Sequence, residues 1–170
     1  MITIFENYTN KPDVNSLSPK YWKMIQIANW NAVIKGHKEN PSITGPDIYY
    51  EDAQNRVYSK YTYEEIQEFL DEFHPFYISC YEYFEFNIEN VFGQSGTIDD
   101  NYSDYICSMI SKGKIFTKKC IDDSKFLMKM IKNKSYEEGF WHLFDVEEEE
   151  YWEIKFQYDP LLRDMRRYNL

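Results

Sequence analysis

Three features of the sequence predict a helix-rich α+β fold. Several stretches carry apolar residues at three- and four-residue spacing behind recognisable caps. One late stretch, Tyr151 to Tyr158, alternates apolar and polar residues as a strand does. Gly, Pro and Asn clusters punctuate these runs. Together they predict about five or six helices around a small antiparallel sheet, in a single acidic domain spanning residues 1–170.

Taken in order, Ile2 to Phe5 is a short strand candidate, followed by a turn-rich segment over 10–18. Ser18 and Pro19 open a helix as N-cap and N1 residues, and its stripe runs through Tyr21, Met24, Ile25, Ala28 and Ala32 to about Lys35. Gly36 is then expected at the C′ position, with a loop to residue 47. Ile48-Tyr49-Tyr50 and Arg56-Val57-Tyr58 flank a polar turn and predict a short hairpin. Thr62-Tyr63-Glu64-Glu65 is a capping box, opening a helix with Tyr63, Ile66, Phe69, Leu70 and Phe73 on one face. His74-Pro75 is expected to end it. Tyr77, Cys80, Tyr81, Phe84, Ile88 and Val91 predict a second helix, the return arm of an αα-hairpin, stopped by Gly93 to Gly96.

Ser103 caps the next predicted helix, with Tyr105, Ile106, Met109 and Ile110 inward and Gly113 at its end. A strand is expected over Lys114 to Thr117. Asp122 or Asp123 then caps a helix that turns Phe126, Leu127, Met130 and Ile131 inward and Lys125, Lys129 and Lys132 outward. Ser135 to Glu138 reads as another capping box, opening a short helix through Phe144. In the strand expected at 151–158, Trp152, Ile154 and Phe156 form the buried face, and Asp159-Pro160 opens a terminal helix.

Charge and composition narrow the function. The chain has 29 acidic and 19 basic residues, a net charge of -10, and a mean hydropathy of -0.67 with 43% hydrophobic residues. That is a foldable composition whose overall field opposes nucleic-acid binding. The charge comes in blocks: residues 47–104 carry 14 acidic and 2 basic groups, and residues 105–134 carry 8 basic and 2 acidic. Lys112, Lys114, Lys118, Lys119, Lys125, Lys129 and Lys132 form the basic stretch, with no Arg and no nucleic-acid-binding signature among them. No apolar run reaches membrane-spanning length, and the start of the chain shows no basic-then-apolar leader, so neither a span nor a secretory signal is expected. Cys80, Cys107 and Cys120 are odd in number and widely spaced, which suits a reducing, cytoplasmic setting.

No local spacing assembles a catalytic, cofactor or metal site, so none is expected and no cofactor is called for. His37, His74 and His142 are the three histidines and lack metal-ligand spacing. Asp99-Asp100 and Asp122-Asp123 read as helix caps before they read as metal ligands. What stands out is aromatic content of 19%, interleaved with carboxylates. Aromatics supply rigid interface surface, and block charge orients an encounter. The leading expectation is therefore a non-enzymatic protein-binding module, an inhibitor or immunity-type protein of the kind viruses and mobile elements carry. Its partner is expected to be another protein with a basic surface, with homodimerisation also open. Glu64, Glu68, Asp71, Glu72, Glu82, Glu85 and Glu89 are the candidate partner-binding residues. The alternative is a small hydrolase or transferase whose site forms only in three dimensions, with His74, Cys80, Asp99 and Asp100 as first candidates.

Overall fold

The computed structural model of the chain describes residues 11–41, 48–92, 102–133, 135–137 and 139–158, with the backbone alone at 86–92 and 158. Among the described residues 76% are helical and none is in a strand, so the expected α+β fold is corrected to an all-helical one. The elements are α1 (Pro19–Ala28), α2 (Trp30–Glu39), α3 (Ile48–Tyr58), α4 (Tyr63–Phe92), α5 (Tyr102–Ser111), α6 (Lys114–Asp122), α7 (Lys125–Lys132), a 3-10 turn at Trp141–Leu143, and α8 (Glu148–Tyr158). α3 packs against α1, α2, the 3-10 turn and α8, while α5 packs against α2, α4, α6 and α7. Buried side chains from Val14 to Tyr151 join in one core cluster.

The first expected helix is two. Ser18 and Pro19 do start α1, but Asn29 adopts a left-handed conformation, φ 50° and ψ 50°, which ends α1 and begins α2. Asn is one of the few residues that takes this conformation at low cost. Gly36 does not terminate a helix. It lies buried inside α2, where a Cβ would stand 2.6 Å from the Tyr49 ring. The missing side chain is what lets α2 and α3 approach there.

α4 overturns the αα-hairpin. Ile66, Phe69, Phe73, Phe76, Cys80 and Phe84 are all buried and recur at three- and four-residue steps straight through Pro75. An interior proline costs a helix about 3 kcal/mol, yet burying one Phe contributes about 1.5–3 kcal/mol. Burial of Phe73, Phe76, Cys80 and Phe84 thus outweighs the break. Pro75 and Asp71 are both exposed, so water can serve the carbonyl that loses its amide partner. At the other end the Thr62 capping box forms as expected. The Glu65 amide donates to Thr62 Oγ1 at 3.3 Å, and the Thr62 amide donates to Glu65 Oε2 at 3.0 Å.

The expected strands that fall on described residues are helices. In α3 the buried set is Ala53, Gln54, Val57 and Tyr58, a helical pattern that joins both supposed hairpin arms and the polar residues between them. In α6, Thr117, Cys120 and Ile121 are buried while Ile115 is 77% exposed. In α8, Glu148, Glu149 and Glu150 occupy the first turn, where the helix dipole favours them. There Tyr151 is fully buried and Trp152 is 40% exposed, the reverse of the expected strand face. Phe126 of α7 is likewise exposed, whereas Leu127, Met130 and Ile131 point inward as expected. No helix starts at Ser135. Ser108 Oγ instead donates to the Glu137 carbonyl at 3.0 Å and accepts from the Glu137 amide at 3.3 Å, holding this segment against α5. The strand candidate at 2–5, the turn at 93–96 and the terminal helix from 159 lie outside the described residues.

Candidate functional site

Joining the two expected arms into one helix also joins their acidic residues. Glu64, Asp71, Glu82 and Glu85 follow one another at spacings of seven, eleven and three, all close to whole helical turns. They therefore share one face of α4, and all four are exposed. From Glu64 to Glu85 the face extends about 32 Å at 1.5 Å per residue. Ile78, 39% exposed, lies in the middle of it. Glu89 belongs to the same helix, with its side chain outside the described set.

Glu68 and Glu72 take a flanking position toward α1. Glu68 Oε2 accepts from the Tyr21 hydroxyl at 3.2 Å and pairs with Lys20 Nζ at 3.5 Å. Glu72 Oε2 accepts from the Ser18 amide at 3.0 Å. These two carboxylates hold α1 on α4 as well as facing solvent. Among the described residues the ion pairs that reach α4 come from Lys20, to Glu65 and Glu68. In the lysine-rich stretch Lys118 pairs with Asp122 at 2.8 Å, Lys112 donates to Asn31 Oδ1 at 3.0 Å, and Lys119, Lys125, Lys129 and Lys132 are exposed. Among the described residues, no lysine of this stretch forms an ion pair with the acidic face of α4.

The residues of the enzymatic alternative are not brought together. Cys80 is fully buried, and burial, with Cys107 and Cys120 near it, pushes its thiol well above the ordinary range. His74 is exposed on another side of α4. Asp99 and Asp100 lie outside the described residues. Asp122 is taken by Lys11 at 2.7 Å and by Lys118, which hold its carboxyl below the usual range, and Asp123 Oδ1 caps the Lys125 amide at 3.0 Å. Among the described residues no group of three or more His, Cys, Asp or Glu side chains is placed to hold a metal ion.

His74 instead borders a cleft of about 300 Å³ lined by His74 and Tyr77 of α4, Ser103, Asp104 and Cys107 of α5, and Gly139, Trp141 and His142. The aromatic rings adjoin one another. The Trp141 centroid is 5.8 Å from His74, 6.4 Å from Tyr77 and 5.3 Å from Phe73. Gly139 has φ +90°, a conformation glycine takes freely as the chain turns into the Trp141 segment. Cys107 is 6% exposed, and burial followed by the nearby Asp104 raises its thiol, so it is a poor nucleophile. Ser103, Asp104 and Cys107 sit within one turn of each other, a grouping the helical period shows. That Trp141 and His142 return to cover it is not a local feature of the sequence.

Compared with known proteins, the chain matches no family model, no characterised protein sequence and no solved structure. Among the described residues no helix is long and apolar enough to cross a membrane.

Proposed function

We propose that this protein is a non-enzymatic protein-binding module, inhibitor- or immunity-like, that docks a basic partner protein on the outer face of α4. The observation that carries the reading is the single uninterrupted helix. It lines up Glu64, Asp71, Glu82 and Glu85 with Ile78 among them, and among the described residues none of the four pairs with a lysine of 112–132. Apolar contact within a charged surround is the arrangement protein interfaces use, and a concentrated negative field accelerates encounter with a basic surface. Three free, buried cysteines suit a cytoplasmic setting.

The test compares the wild-type chain with a Glu64→Gln, Asp71→Asn, Glu82→Gln, Glu85→Gln variant in affinity capture from its source cells. A basic protein retained by the wild type and lost by the variant is the expected result. Its association rate should also fall steeply between about 50 mM and about 500 mM salt. Capture of the same proteins by both chains, or a salt-independent rate, overturns the reading.

A further inference from the structure

α6 and α7 present a second charged face, opposite in sign to that of α4. Residues 112–132 hold seven lysines and two aspartates. Lys119, Lys125, Lys129 and Lys132 are exposed, and among the described residues none of these four is ion-paired. Asp122 is already shared by Lys11 and Lys118, and Asp123 Oδ1 accepts from the Lys125 amide. Two exposed apolar side chains lie within this face. Ile115 is 77% exposed, and Lys119 follows it one turn later on α6. Lys119 Nζ stands 5.8 Å from the centre of the Phe126 ring of α7, which is 41% exposed. Lys125 and Lys129 stand beside Phe126 on α7. Apolar groups thus sit inside a rim of ammonium groups.

An occupant that matches this face offers carboxylates with an apolar residue among them. The face of α4 does so, with Ile78 between Asp71 and Glu82. Within one chain the two faces border each other, since Tyr83 of α4 donates to the Ile121 carbonyl of α6 at 3.2 Å. Neighbouring faces of opposite sign suit a two-fold pair, in which each acidic face meets the basic face of the other copy and both contacts form at once. The net charge of -10 on each copy opposes their approach. That repulsion is screened beyond about 8–10 Å in physiological salt, whereas contacts between the matched faces are shorter than this. An anionic membrane meets the same repulsion and brings no lysines to offset the acidic face of α4.

We propose that a second copy of this chain covers the α6–α7 face, setting its Ile78 region against Ile115 and Phe126. This step rests on the reading of α4 as a surface that docks a basic protein, and it adds a regulation of that surface. Self-pairing closes the α4 face until a basic partner displaces the second copy.

Sedimentation velocity of the full chain at about 150 mM salt, over about 1–500 µM protein, reads the pairing. A concentration-dependent shift from monomer to dimer is expected, and it should weaken at about 500 mM salt. Two charge-reversed variants are compared with the wild type. One carries Glu64→Lys, Asp71→Lys, Glu82→Lys and Glu85→Lys; the other carries Lys119→Glu, Lys125→Glu, Lys129→Glu and Lys132→Glu. Each alone should pair at least about tenfold more weakly than the wild type. An equimolar mixture of the two should form a one-to-one heterodimer, because both contacts regain opposite charge. A wild-type chain that stays monomeric throughout overturns the proposal even if a variant fails to fold, and so does wild-type pairing in either variant. Co-sedimentation of a monomeric wild-type chain with phosphatidylserine vesicles gives the face to anionic lipid and also overturns it. A monomeric wild type that still captures a basic protein through α4 removes the second copy alone. A dimer that captures no basic protein removes the external partner alone.

Discussion

The Arg56 guanidinium grips the Ala28 carbonyl, donating from Nε at 3.2 Å and from Nη2 at 2.9 Å. Ala28 is the last residue of α1, and the left-handed Asn29 follows it, so this carbonyl is among those left without an intrahelical partner. Arg56 thus caps α1 from α3 and places a cation where the helix dipole favours one. Arg56→Ala is expected to cost about 1.5–3 kcal/mol, the range for a hydrogen bond to a charged group. Arg56→Lys should recover only part of this, since a lysine lacks the fork. Urea denaturation of the three proteins measures both effects.

Gly36→Ala should destabilise the protein although alanine is the better helix former. The propensity gain is about 1 kcal/mol. Against it, the new methyl would meet the body of the Tyr49 ring at 2.6 Å. That ring is held by contact with His37, and its oxygen accepts from Asn40 Nδ2 at 2.9 Å. Overpacking typically costs about 1–3 kcal/mol. A net loss of stability is therefore expected by thermal unfolding, and Tyr49→Ala placed in the same chain should relieve the clash of Gly36→Ala.

Neighbouring aromatics of α8 should behave oppositely. Tyr151 is fully buried, packs on Tyr58 and Tyr63, and donates to the Tyr61 carbonyl at 2.9 Å. Tyr151→Ala should cost about 3–5 kcal/mol. Trp152 is 40% exposed, with its indole donating to Glu148 Oε1 at 3.3 Å. Trp152→Ala should cost under about 1 kcal/mol. The alternating pattern of the sequence ranks these two the other way, so one pair of melting curves separates strand from helix at this site.

Acid should weaken the start of α4. The Thr62 amide, followed by Lys20, holds the Glu65 carboxyl below its ordinary value of 4.5. A carboxyl lowered in the folded state contributes stability that is present above its unfolded value and lost as pH falls through the folded one. Glu65→Gln keeps a residue able to close the capping box but removes the charge. It should lower stability at neutral pH and flatten the loss of stability between about pH 5 and about pH 3, leaving the part due to Glu64 and Asp122, whose carboxyls are lowered too. Denaturant midpoints across that range provide the measurement.

Short-range signals in the sequence survive in the structure. The Thr62–Glu65 capping box, Pro19 at a helix start, Gly113 at the boundary of α5 and α6, the buried stripes of α4 and α5, and Leu127, Met130 and Ile131 of α7, though not Phe126, each depend on residues within about one helical turn, so local sequence was enough to read them. The exposure of Glu64, Asp71, Glu82 and Glu85 was readable in the same way, because each stands opposite an apolar stripe. Short aromatic runs were not: over a few residues, Tyr, Trp and Phe fit a two-residue period as well as a 3.6-residue one. Their conformation was decided by which ring found cover, as when Tyr151 reached the Tyr61 carbonyl and Tyr58 reached the Leu143 carbonyl. The same holds for Pro75, where local chemistry says stop and burial of Phe73, Phe76 and Cys80 carries the helix on. It holds again for the cleft, which exists because the Trp141 turn packs beside His74 and Tyr77, residues far away in the chain. Sequence by itself determined that this chain is acidic, helix-rich and capped at definite points. Only the tertiary structure decided that the described residues form helices with no sheet among them, that two acidic segments form one face, and that a cleft stands next to it. The reason is that burial energy is set by contacts between distant segments, and it exceeds the local preferences that would have placed the breaks elsewhere.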